Sequence, residues 1–112
     1  MARKPFVLEL GSGADLRGGD PTKAAIRAVQ EAIYRNSLYV LDYIDNFDKL
    51  VVEVTIGVPR PEMVRSEEVL AVLPVGQKSI RVVEGGLAIP YREGGSEEVI
   101  LAHAAVRVFL EV

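Results

Sequence analysis

The chain has 112 residues, 49% of them hydrophobic, with a net charge of -3 and no cysteine. That length fits one domain, and charges of both signs are scattered along it, so the basic stripe that nucleic acid requires is missing and nucleic acid is excluded as an expected partner. The lack of cysteine removes disulfides, thiolate nucleophiles and Cys-ligated zinc, and no apolar run is long enough to be read as a signal peptide or a membrane span, so a cytoplasmic protein with no membrane partner is expected. Abundant Val, Glu and Arg with few Asn and Gln lean toward a thermophilic source.

Phe6 to Leu10 is a short apolar run bounded by Pro5 and by Gly11-Ser12-Gly13, and it reads as a first strand entering a glycine-rich turn. Asp20 is placed to cap a helix with Pro21 at its first position, and Ile26, Val29 and Ile33, flanked by Ala25 and Ala32, form its apolar stripe. The helix is expected to run through Arg35 and to stop at Asn36. Ser37 then opens a short second piece that aligns Leu38, Leu41 and Ile44, and Asn46-Phe47-Asp48 forms a turn. Val52, Val54, Ile56 and Val58 alternate with polar residues across Leu50 to Val58, a second strand ended by Pro59-Arg60-Pro61. Ser66 with Glu67 and Glu68 starts a short helix that buries Val69, Val72 and Leu73. Lys78 to Ile89 reads as a third strand bent at Gly85-Gly86, Arg92 to Ser96 as a turn, and Val99 to Val112 as a last strand.

The order strand, helix, strand, short helix, strand, strand predicts an α+β domain with a four-stranded mixed sheet and helices on one face. In the last strand both parities are largely apolar: Ile100, Ala102, Ala104, Val106 and Val108 on one, Leu101, His103, Ala105, Arg107 and Phe109 on the other. The face away from the helices has no third layer to cover it, which predicts a homo-oligomer with a trimer favoured.

Site-like composition concentrates in two stretches. Successive backbone N–H groups from Gly11 and Gly13 toward a helix start, with Asp15, Asp20, Thr22 and Lys23, could cradle an anionic or polar ligand. The stretch matches neither phosphate template, because Leu16 stands where a dinucleotide fingerprint needs glycine and Gly19 where a P-loop needs lysine. The plainer reading is a tight connection capped by Asp20. Glu84, directly before Gly85 and Gly86, could hold a ligand's proton; the alternative is a strand-end glutamate beside a bulge. His103, the single histidine, is a candidate for proton transfer, and the alternative is an imidazole satisfied by a neighbour or at a subunit contact. One histidine cannot furnish a zinc set, so no cofactor is expected, while Asp15, Asp20 or Glu84 could hold Mg²⁺ or Ca²⁺. Arg81, Arg107 and Lys78 either bind a ligand carboxylate or pair with Glu53 and Glu111 across the sheet.

The stretches from Gly11 to Ala25, Ile56-Gly-Val-Pro, Leu73-Pro-Val-Gly-Gln, Val83-Glu-Gly-Gly-Leu and Ala104-Ala-Val together resemble a small family of conserved hypothetical prokaryotic proteins of about this length. That resemblance spans nearly the whole chain and implies a single domain without implying a reaction. The element order also resembles the chorismate mutase and YjgF-type fold, which implies trimers with ligand clefts between subunits. Two functions are therefore expected as alternatives. One is a homo-oligomeric enzyme acting on a small polar metabolite between subunits, and the other is a non-catalytic ligand-binding or assembly protein.

Overall fold

The structure is a computed structural model that describes residues 3–41, 49–73 and 76–111, with the backbone alone for 35–41. Strand β1 (Arg3–Asp15) leads into helix α1 (Pro21–Leu41), strand β2 (Leu50–Val58), a single 3₁₀ turn (Pro61–Met63) and a short helix α2 (Ser66–Leu70). Strands β3 (Gln77–Glu84), β4 (Leu87–Pro90) and β5 (Glu98–Glu111) complete the chain. The sheet order is β1-β5-β2-β3, with β4 pairing β5 off that path. All pairings are antiparallel except β2 with β3. The fold is thus α+β with a mixed sheet, but the sheet has five strands where four were expected.

The core lies between α1 and one sheet face. Ala24, Ala25, Ala28, Val29 and Ala32 of α1 are fully buried against Val54, Ile56 and Val58 of β2 and Ile100, Ala102, Ala104 and Val106 of β5. Val69 and Leu73 close the same layer, as their spacing predicts. The alternation in β2 gives the observed bounds, Leu50–Val58, and β2 ends where Pro59 can no longer donate to a ladder.

Three sequence expectations are corrected. Gly11-Ser12-Gly13 is not a turn, because β1 continues through it to Asp15. A Cβ on Gly11 would lie 2.4 Å from Ala28 O and 2.5 Å from Ala32 N, and one on Gly13 would lie 2.3 Å from Ala28 N and 2.6 Å from Ala24 O. The two glycines thus admit the backbone of α1 onto the strand, opposite an alanine row repeating every four residues, the spacing that keeps side chains on one helix face. Asn36 does not end the helix, since α1 runs to Leu41; Ile44 and the turn at Asn46-Phe47-Asp48 lie outside the described residues. The third expected strand is two strands. At Gly85-Gly86 the chain leaves β2 and moves to the free stretch of β5, where Leu87 faces Leu101. Gly86 has φ +64°, and a Cβ there would lie 2.0 Å from Leu101 O, so this switch of neighbours requires glycine.

Among the described residues, nothing covers the other face of the sheet. Leu8, Leu10, Leu87 and Ile89 remain 51–64% exposed, and in register with them stand Ser12, Thr55, His103, Ala105 and Arg107. The radius of gyration is 15.2 Å against about 13 Å for a compact chain of this length, and the extents of 54 × 24 × 18 Å describe a two-layer slab.

Candidate functional site

The residues expected to form a ligand loop are mostly turned inward. Asp15 is buried; its Oδ2 accepts the Asp20 N–H at 2.9 Å and its Oδ1 lies 3.5 Å from Arg27 Nη1. Asp20 caps α1, with Oδ1 accepting from Thr22 N at 2.9 Å and from Lys23 N at 3.4 Å, and Oδ2 stands 3.7 Å from Arg65. Thr22 is buried, and its Oγ1 accepts the Arg65 N–H at 3.0 Å. Lys23 is exposed beside the cap. The capping reading therefore accounts for Asp15, Asp20 and Thr22, and their oxygens are committed to backbone donors and guanidinium groups. Asp20→Ala should cost about 1 kcal/mol in urea unfolding while Asp20→Asn, which retains the acceptor, should stay near wild type.

The outer edge of β1 is guarded by the same helix. Ser12 N–H donates to Glu31 Oε1 at 3.1 Å, and Arg27 Nη1 donates to Ala14 O at 2.6 Å. Two i,i+4 side chains of α1 thus reach over the strand and occupy backbone groups that a further strand would need.

His103 lies on the uncovered face and is exposed, and its Nδ1 shares a 2.9 Å hydrogen bond with Ser12 Oγ on β1. On its β2 side the register partner is Gly57, against which Gly85 packs with its Cβ direction 3.1 Å from the Gly57 Cα. Of the expected site residues, the structure thus gathers His103, Gly85 and Gly86 in one neighbourhood and adds Ser12 and Gly57. It does not bring Glu84 to His103. Glu84 is exposed at the end of β3, opposite Val58, on the parity that faces the helices. Asp15, Asp20 and Thr22 stand at the start of α1, on the helix side of the sheet.

The charged groups of the uncovered face also differ from expectation. Glu53, in register with Arg107, pairs instead with Arg3 at 3.0 Å, and Lys78 Nζ donates to Leu73 O at 2.7 Å on the helix side. The Arg107 guanidinium leans on Phe109, 5.0 Å from the ring centroid. At the far end of the slab Arg17 makes two hydrogen bonds to Glu97, 2.8 and 3.2 Å, and lies over the Tyr91 ring, which holds the Glu97 carboxyl below its ordinary range and ties the β4–β5 hairpin to the segment before α1. Glu9, on the helix side of β1, is 3% exposed, and neither carboxylate oxygen has a hydrogen-bond partner among the described residues. Burial pushes its carboxyl above the ordinary value. Sequence reading passed over Ser12 and Glu9; the odd–even alternation of β1 holds the signal, since it places Glu9 in the row of Gly11 and Gly13.

Among the described residues no cluster of three or more His, Asp or Glu side chains is arranged to hold a metal ion, and no helix is long and apolar enough to cross a membrane.

A two-layer α+β slab with an uncovered sheet face and a Ser–His pair upon it defines an architecture and names no reaction. The chain belongs to the conserved hypothetical protein family Lin0512, whose family model matches residues 5–108. It is 40% identical to a crystal structure described as a FtsZ-like protein of unknown function from Nostoc punctiforme, covering 100% of this chain and 99% of that one with a TM-score of 0.83. No curated protein matches the chain.

Proposed function

We propose that the protein is a homo-oligomer, most simply a trimer, whose copies meet through the uncovered sheet face and hold a small polar metabolite in the cleft between them. The observation that carries this reading is the set of large apolar side chains, Leu8, Leu10, Leu87 and Ile89, left more than half exposed on a regular sheet. The order β1-β5-β2-β3 with its single parallel pair supports the chorismate mutase/YjgF-type reading of the fold.

In this reading His103, with Ser12 beside it, is the group placed to exchange a proton with the ligand. Glu84 is the second candidate, and it enters the same cleft only if a neighbouring copy supplies it. The alternative reading, a ligand-binding or assembly protein without catalysis, is favoured by one observation: the Ser12–His103 pair has no carboxylate partner for His103 among the described residues. The test is sedimentation of Leu10→Asp. Dissociation to a folded single chain, with unchanged far-UV circular dichroism, is expected. An unchanged sedimentation coefficient would remove Leu10 from the interface and contradict the reading.

A further inference from the structure

The described arginines divide by whether a carboxylate stands beside them, and on the uncovered face only Arg3, paired with Glu53, has one. Arg3, Arg17, Arg27, Arg60 and Arg65 each stand within 4.0 Å of a carboxylate. Arg81 and Arg107 have no carboxylate at that distance among the described residues, and both belong to the uncovered face, in a chain of net charge -3. Arg92, also without one, stacks on Tyr91 in the hairpin. With Glu53 of the same face taken by Arg3, the Arg81 and Arg107 guanidinium groups are the ones left to meet negative charge brought from outside.

The register sets their spacing. Thr55 faces Ala105 on one side and Arg81 on the other, Glu53 faces Arg107, and Gly57 faces His103. Arg81 is therefore two strands across and two residues along from both Arg107 and His103, about 12 Å between Cα atoms in each case, and Arg107 and His103 are about 13 Å apart on their own strand. The floor of that triangle is Ala105 and Thr55, which are small, with Glu53, held by Arg3, and Gly57, covered by Gly85, on either side along β2 and the Arg107 guanidinium resting on Phe109 at its edge, whereas Leu8, Leu10 and Leu87 stand around it. A shelf of this form stays open when bulkier neighbours meet another copy.

We propose that this shelf, ringed by Arg81, Arg107 and the Ser12–His103 pair, binds a small organic oxyanion, the carboxylate or phosphate group of the metabolite. Arg81 and Arg107 supply charge-assisted donors, and the Thr55 hydroxyl and the Ser12–His103 pair supply further hydrogen bonds. The inference rests on the reading of this face as a ligand cleft between copies. It moves the anion-holding role away from Lys23 and the start of α1, where Asp15 and Asp20 would repel an anion.

Calorimetric titration of the wild-type protein at low ionic strength, with succinate and separately with inorganic phosphate, tests it. Saturable binding of at least one probe is expected, weakened about tenfold or more in Arg81→Gln/Arg107→Gln and unchanged in Arg92→Gln. No saturable heat with either probe, or heat unaffected by the double substitution, would overturn it. Light scattering on the same samples separates the two readings. An oligomer that binds neither probe refutes the oxyanion site alone, and a single chain that binds refutes the interface alone. Dissociation of the double variant without any binding by wild type would assign the arginines to ion pairs between copies and overturn the proposal.

Discussion

Gly13→Ala is expected to cost about 3 kcal/mol or more, lowering the melting temperature by on the order of 10–20 °C. The new Cβ would stand 2.3 Å from Ala28 N, 2.6 Å from Ala24 O and 2.6 Å from Arg27 C. All three are backbone atoms of α1, so no side-chain rotation relieves the clash and the helix must lift from the sheet. Lifting it would open the layer in which Ala24, Ala28 and Ala32 are fully buried, adding lost packing to the steric term. Gly19→Ala provides the contrast. A Cβ there meets nothing within 4 Å, and the φ of +63° limits the loss to backbone strain, about 1–2 kcal/mol. Thermal unfolding of the two variants would check the order, and equal losses would contradict the close approach of α1 to β1.

Glu9→Met is expected to raise stability at neutral pH by about 1–3 kcal/mol, because it replaces a buried carboxylate lacking a hydrogen bond with an apolar chain of similar length. The pH dependence gives an independent check. Burial raises the folded-state pKa of Glu9 above its ordinary value of 4.5, so between those two values the folded chain binds more protons than the unfolded one. The stability this group contributes is full below the ordinary value and is lost as pH rises through the folded pKa. Wild type should therefore lose stability relative to Glu9→Gln as pH rises from 4.5 toward neutrality. The exposed Glu97, held low by Arg17, acts in the opposite sense and is common to both proteins, so it cancels in the difference. Parallel curves of melting temperature against pH would contradict the assignment.

The strands whose burial follows a strict alternation, β2 above all, were legible from sequence because a period of two has one structural meaning when polar residues occupy the other parity. The start of α1 was legible for a similar reason: Asp20, Pro21 and Thr22 satisfy local geometry that depends on no distant contact. Gly11-Ser12-Gly13 misled because a glycine pair after an apolar run is locally indistinguishable from a turn. Its meaning lies in Ala24, Ala28 and Ala32 of α1, a nonlocal complement that only the packed layer reveals. The switch at Gly85-Gly86 was legible as a bend but not as a change of partner, since which strand β4 joins depends on the length of β5 left unpaired by β2.

The candidate site shows the same division. The parity of β5 correctly placed His103 on the face away from the helices, and the conserved-hypothetical resemblance led to the right family. The pairing of His103 with Ser12 came from the β1–β5 register, and Arg107 is left without a carboxylate partner among the described residues because Glu53, across from it, turns to Arg3. Neither follows from spacing along the chain, because cross-strand partners are set by register and a single shifted residue reverses every face.

Contact between copies through the uncovered sheet face shows in the light-scattering mass of the wild-type protein at micromolar concentration. A mass of two or more times 12.2 kDa is expected, three chains in the simplest case. A mass of one 12.2 kDa chain would contradict it.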